Sequence, residues 1–150
     1  MRLLGCLATV FTLLVAGCAS SVQLAPPVLD ESAKRFEPVP NKMVVYVIED
    51  NGVGAHRAFF QVHVNGKYAA AISGNTFCRL VLEPGRTRVL VSSPENQEAV
   101  TVNGKAGEVL YLAATSYGGW TQMRVKPLRQ LSADEGKRAV LAGKLAHPVD

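Results

Sequence analysis

The sequence predicts an all-β fold: a β-sandwich of about seven to eight antiparallel strands with a short C-terminal helix. Three observations predict it. Short apolar runs, most of them alternating, recur from Lys42 to Lys126. Turn residues (Asn65-Gly66, Gly74-Asn75, Pro84-Gly85, Asn103-Gly104) separate them. A helix signature, Ser132-Ala133-Asp134-Glu135, stands only after the last strand.

The elements follow in order. Met1 and Arg2 precede an uncharged apolar stretch, residues 3–16, with the length of a signal-peptide core. Polar Ser20, Ser21 and Gln23 end the run short of the ~20 apolar residues that a spanning helix needs. Val15-Ala16-Gly17-Cys18 is similar to the lipobox of bacterial lipoproteins, which implies lipidation of Cys18 and cleavage before it. Leu3-Leu4-Gly5-Cys6 has the same pattern, but nothing apolar precedes it. Residues 18–41 then read as a lipidated N-terminus and a tether, since Pro26, Pro27, Pro38 and Pro40 keep a chain extended. Asp30 is a candidate cap for one or two helical turns within it, and Phe36 a candidate pin onto the domain.

Residues 42–150 form the predicted domain. Met43-Val44-Val45-Tyr46-Val47-Ile48 is continuously apolar, as in a strand buried on both faces. Residues 49–55 read as a loop. Phe60, Val62 and Val64 alternate with Phe59, Gln61 and His63, and Asn65-Gly66 turns the chain into a hairpin. Pro84-Gly85 reads as the turn of a second hairpin, between residues 76–83 and 86–92. Residues 98–102, 108–115 and 120–126 supply the remaining strands. The capping box starts a helix running to about Ala142, with Gly143 as its C-terminal cap, and its modest apolar face places it along an edge of the sandwich.

These motifs resemble a group of bacterial, often lipidated, proteins known as domain of unknown function 2846. The resemblance rests on Ala33-Lys34-Arg35-Phe36 with Pro38 and Pro40, on Val44-Val45-Tyr46-Val47, and on Val62-His63-Val64-Asn65-Gly66-Lys67. Leu82-Glu83-Pro84-Gly85-Arg86-Thr87 and Gly107-Glu108-Val109-Leu110-Tyr111-Leu112 extend it. Glu49 departs from the pattern, which has a basic residue at the end of that strand. The same turns are similar to those of PEGA-like surface β domains. Neither resemblance supplies catalytic residues.

The formal net charge of +4 is modest, and no basic run or nucleic-acid motif is present, so nucleic acid is not an expected partner. With Cys6 removed and Cys18 lipidated, Cys78 has no intrachain disulfide partner; its parity with Leu80 and Leu82 reads as a buried thiol. His56, His63 and His147 are isolated, and no spacing points to a metal, a cofactor or a nucleophile. Glu95 and Glu98 lie in a polar turn and read as solvated. Arg86 and Arg88 share one strand face, with Arg79 on the same expected hairpin; they read as a solvated edge or an anion-facing one.

The candidate ligand contacts are Tyr117 and Trp120, flanking Gly118-Gly119. They read either as a stacking surface or as a turn whose indole covers the end of the sandwich. The expectation is therefore a non-enzymatic accessory or protein-interaction lipoprotein, held to the membrane through lipid on Cys18. Its alternative is a module binding carbohydrate, peptidoglycan or surface polysaccharide. By resemblance to Gram-negative sorting, Ala19 after the cysteine implies the outer membrane, facing the periplasm.

Overall fold

The computed structural model describes residues 22–50 and 58–147. In chain order these form α1 (Pro27–Ala33), β1 (Met43–Asp50), β2 (Phe59–Val64), β3 (Lys67–Ser73), β4 (Thr76–Leu82), β5 (Gly85–Ser92) and β6 (Gln97–Gly104). β7 (Val109–Gly118), β8 (Met123–Val125), β9 (Arg129–Gln130), α2 (Ala133–Ala142) and β10 (Lys144–Leu145) complete them. The protein is mostly β and sandwich-like, with a six-stranded sheet ordered β10-β4-β1-β7-β8, β9 also pairing β7, and a four-stranded sheet ordered β3-β2-β5-β6.

The expectation of purely antiparallel strands is corrected. β1 pairs β7 in parallel, Tyr46 opposite Tyr111, and β10 pairs β4 in parallel. Parallel neighbours need a long crossover, and here the whole four-stranded sheet lies within the connection from β1 to β7. A second correction concerns Pro84-Gly85. β4 pairs β1 while β5 pairs β2 and β6, so this turn is a corner between sheets and not a hairpin. The physical reason is backbone sign. A tight hairpin of type I′ takes positive φ at both central residues, as Asn65 (48°) and Gly66 (83°) do. Proline is locked at negative φ, so Pro-Gly does not match the twist of paired strands.

β1 explains the layering. Met43, Val45 and Val47 point between the sheets, against Phe60, Val62 and Val89. Val44, Tyr46 and Ile48 point the other way and meet Phe77, Tyr111 and Val140 in a second core. That second core is covered by the helices, so α2 lies on the outer face of the sheet and not along its edge. The Ser132–Glu135 capping box is present, and Gly143 is the C-cap. α2 comes so close to the sheet that a Cβ at Gly136 would stand 2.1 Å from Cγ of Tyr111. Tyr46 and Tyr111 stack at 5.3 Å between ring centroids, and the Tyr46 hydroxyl donates to the Ala33 carbonyl at 2.6 Å.

The stretch expected to be a spacer is docked over residues 22–36. Val22 packs on the inter-sheet core, Leu24 bridges Ala146, and Phe36 lies against Tyr46 and Tyr111. Asp30 does not cap the helix, which begins earlier, at Pro27. Its carboxylate instead accepts from the Leu145 amide at 2.7 Å and from Lys34 Nζ at 2.8 Å. Burial opposes ionisation of Asp30, but these two donors outweigh it and hold the carboxyl below its ordinary value. An ionised side chain thereby ties α1 to β10.

Candidate functional site

Tyr117 and Trp120 lie where β7 passes into β8. Trp120 is 93% exposed and Tyr117 38%, so the indole does not cover the end of the sandwich. Neither is the Gly118-Gly119 turn loose. The Gly119 amide donates to the Gln122 carbonyl at 2.8 Å, closing the loop.

Glu95, from the turn between β5 and β6, organises this loop. Its Oε1 accepts from the amides of Thr121 (2.6 Å) and Gln122 (2.8 Å) and from the Thr121 hydroxyl (2.9 Å). Its Oε2 accepts from the Trp120 amide and from Arg124 Nε, both at 2.9 Å. The amides of Thr121, Trp120 and Gln122 hold the carboxyl down at about 2, because each donates to the ionised form. Gly119 makes the approach feasible: a Cβ there would stand 2.3 Å from Glu95 Oε2 and 2.3 Å from the Gln122 carbonyl oxygen. Next to Glu95, the Asn96 side chain pairs like a strand residue. Its amide donates to the Val125 carbonyl (2.8 Å), and its oxygen accepts from the Val125 amide (2.9 Å). Two adjacent side chains thus clamp a loop of the larger sheet onto a hairpin of the smaller one.

The exterior of the loop borders an open recess of about 390 Å³ formed by residues 118–123. Arg124 is held by Glu95 and by Tyr117, and both raise its pKa. Tyr117 and Arg124 thus pair across β7 and β8, beside the loop that presents Trp120. With all five of its contacts used within the loop, the Glu95 carboxylate is committed to holding shape.

The sequence reading missed Glu95, taking it as solvated. Its partners lie 25 to 29 residues away, and no local pattern announces them. The candidate lipid-attachment residue Cys18 and the lipobox residues Val15, Ala16 and Gly17 lie outside the described residues, as does His56.

Other chemistry-bearing groups are dispersed. Cys78 is buried in the inter-sheet core, and burial pushes its thiol up to about 12. His63 is on β2 in the other sheet, its ring edge-on to Tyr68 at 5.7 Å. Arg79 donates to the Tyr46 hydroxyl and the Glu37 carbonyl, on a different sheet from Arg86 and Arg88. Glu49, expected in a loop, is buried at the end of β1 and accepts from the Asn75 amide and the Ser116 hydroxyl, each at 3.1 Å. Burial raises its pKa. Among the described residues, no three of His, Cys, Asp and Glu gather as a metal site, and no helix is long and apolar enough to cross a membrane.

Compared with known proteins, the chain matches no family model, no curated protein and no solved structure.

Proposed function

We propose that this chain is a lipid-anchored cell-envelope protein whose β domain is a non-enzymatic accessory module. It holds another envelope protein through the Trp120 loop. The observation that carries this reading is an almost fully exposed indole on a loop whose backbone is fixed by Glu95. Single exposed apolar residues are ordinary, but a side chain presented from a rigid loop loses little entropy on binding. Trp, Tyr and Arg are the residues enriched at interface centres, and Trp120, Tyr117 and Arg124 all belong to the β7–β8 hairpin and its loop. The anchor reading is supported by the apolar residues 3–16, whose end runs into Val15-Ala16-Gly17-Cys18. The address remains the one proposed from Ala19, the outer membrane facing the periplasm, and the motif order supports membership of the group resembled above.

A glycan is the second reading, favoured by the exposed Trp120 at an open recess and the exposed Tyr117 on the adjoining strand. One experiment separates the two. A photoreactive residue at position 117, in intact envelopes, gives a discrete protein adduct that Trp120→Ala abolishes if the partner is protein. Absence of any adduct, with binding to purified sacculi that falls in Trp120→Ala, transfers the site to glycan. No adduct and no sacculus binding removes both readings.

A further inference from the structure

The docking of residues 22–36 changes what an anchored domain can touch. Ala25 donates to the Leu145 carbonyl at 2.9 Å, and His147 to the Gln23 carbonyl at 2.7 Å. With the Asp30 tie, the segment is laced to β10 along its length. Only residues 19–21 then separate Cys18 from Val22, a reach of at most about 14 Å for extended chain. A lipid on Cys18 leaves the surface around Val22 no room to stand clear of the headgroups.

That surface exposes a group of large apolar side chains. The docked segment turns Ala33 and Asp30 inward, while Leu24, Val28 and Leu29 are 51%, 65% and 45% exposed. Three of the chain's exposed large apolar side chains thus fall within residues 24–29, immediately after the attachment point.

We propose that Leu24, Val28 and Leu29 form a bilayer-contact patch that seats the β10 edge of the domain on the leaflet carrying its anchor; this rests on the anchor reading above. The contact is shallow. Glu31 and Arg35, exposed on and just after α1, stay among the headgroups while the apolar side chains reach the acyl boundary, as amphipathic surface helices do at ~5–10 Å depth. Seating fixes orientation. β8 lies at the opposite end of the sheet from β10, beyond β4, β1 and β7, roughly 19 Å away at the usual strand spacing. The Trp120 loop then faces away from the lipid, toward a partner.

The chain has one tryptophan, which makes the test direct. The mature, lipidated protein is reconstituted into phosphatidylethanolamine–phosphatidylglycerol vesicles whose acyl chains are brominated near the headgroup. Emission of Trp120 in the native chain is compared with that of Val28→Trp in a Trp120→Phe background. The expected result is loss of most Val28→Trp emission with Trp120 emission retained. Equal emission from the two positions overturns the patch. Mass spectrometry of the N-terminal peptide separates the two levels. Lipid on Cys18 without quenching at position 28 leaves the anchor standing and removes the patch. An unlipidated Cys18 removes the anchor, and the patch falls with it.

Discussion

The Glu95 carboxylate accepts the backbone amide of Trp120 at 2.9 Å across the gap between the two sheets. A side chain in one hairpin thereby sets the backbone of the exposed Trp120 in the other. Because the carboxylate is lowered to about 2 from an ordinary value of 4.5, it contributes to stability above the ordinary value. That contribution is lost as pH falls toward about 2. Acidification through this window is expected to lower the protection of the Trp120, Thr121 and Gln122 amides, measured against their intrinsic exchange rates, before the core opens. In Glu95→Ala the same amides lack that protection at every pH, and the acid-dependent step disappears. Hydrogen-exchange mass spectrometry over pH 2 to 5 reads both.

Gly119→Ala tests the same clamp from the other side. Its Cβ would collide with the carboxylate and with a backbone oxygen, so the loop must open although the core is untouched. The expected result is partner binding reduced by about tenfold or more, equivalent to about 1.4 kcal/mol, with an unfolding midpoint close to that of the native chain. Binding assays and thermal unfolding on one preparation separate the two effects.

Gly136→Ala reverses the usual expectation for a helix. Propensity favours alanine by about 1 kcal/mol, but the methyl group would overlap the Tyr111 ring. Overpacking of a filled core costs about 1–3 kcal/mol. A net loss of up to about 2 kcal/mol is expected in urea unfolding, with unchanged denaturant slope.

Cys78 is predicted to be inert. Its thiol is buried and is pushed up to about 12, so almost no thiolate exists near neutrality. Labelling by a soluble disulfide reagent should require denaturant. Cys78→Ser, which buries a hydroxyl in apolar surroundings, should cost about 1–3 kcal/mol, measured by the same urea titration.

Much of this architecture was legible. The continuous run from Met43 to Ile48 gave a strand buried on both faces, Asn65-Gly66 gave a hairpin, and Ser132 with Glu135 gave a capped helix. The run held more than was taken from it. A strand apolar on both sides needs cover on both sides, which already places α2 on the face of the sheet instead of its edge. The parallel pairing of Tyr46 with Tyr111 was not legible, since register across the intervening sheet leaves no local mark. Tyr117 and Trp120 stood out by residue type. Glu95 did not, because a carboxylate in a turn looks the same whether water or a distant loop satisfies it. The docking of residues 22–36 was hidden by prolines, which stiffen a chain that lies on a domain as much as one that leaves it.

The most direct test of the central claim is the emission of Trp120 as the partner arrives. Detergent-solubilised envelope protein is titrated into the purified domain, and solubilised peptidoglycan fragments into a second sample. The account predicts a saturable blue shift with envelope protein, as the exposed indole loses water, and a shift in Gly119→Ala that needs about tenfold more protein or greater. Binding that leaves the Trp120 spectrum unchanged would contradict it.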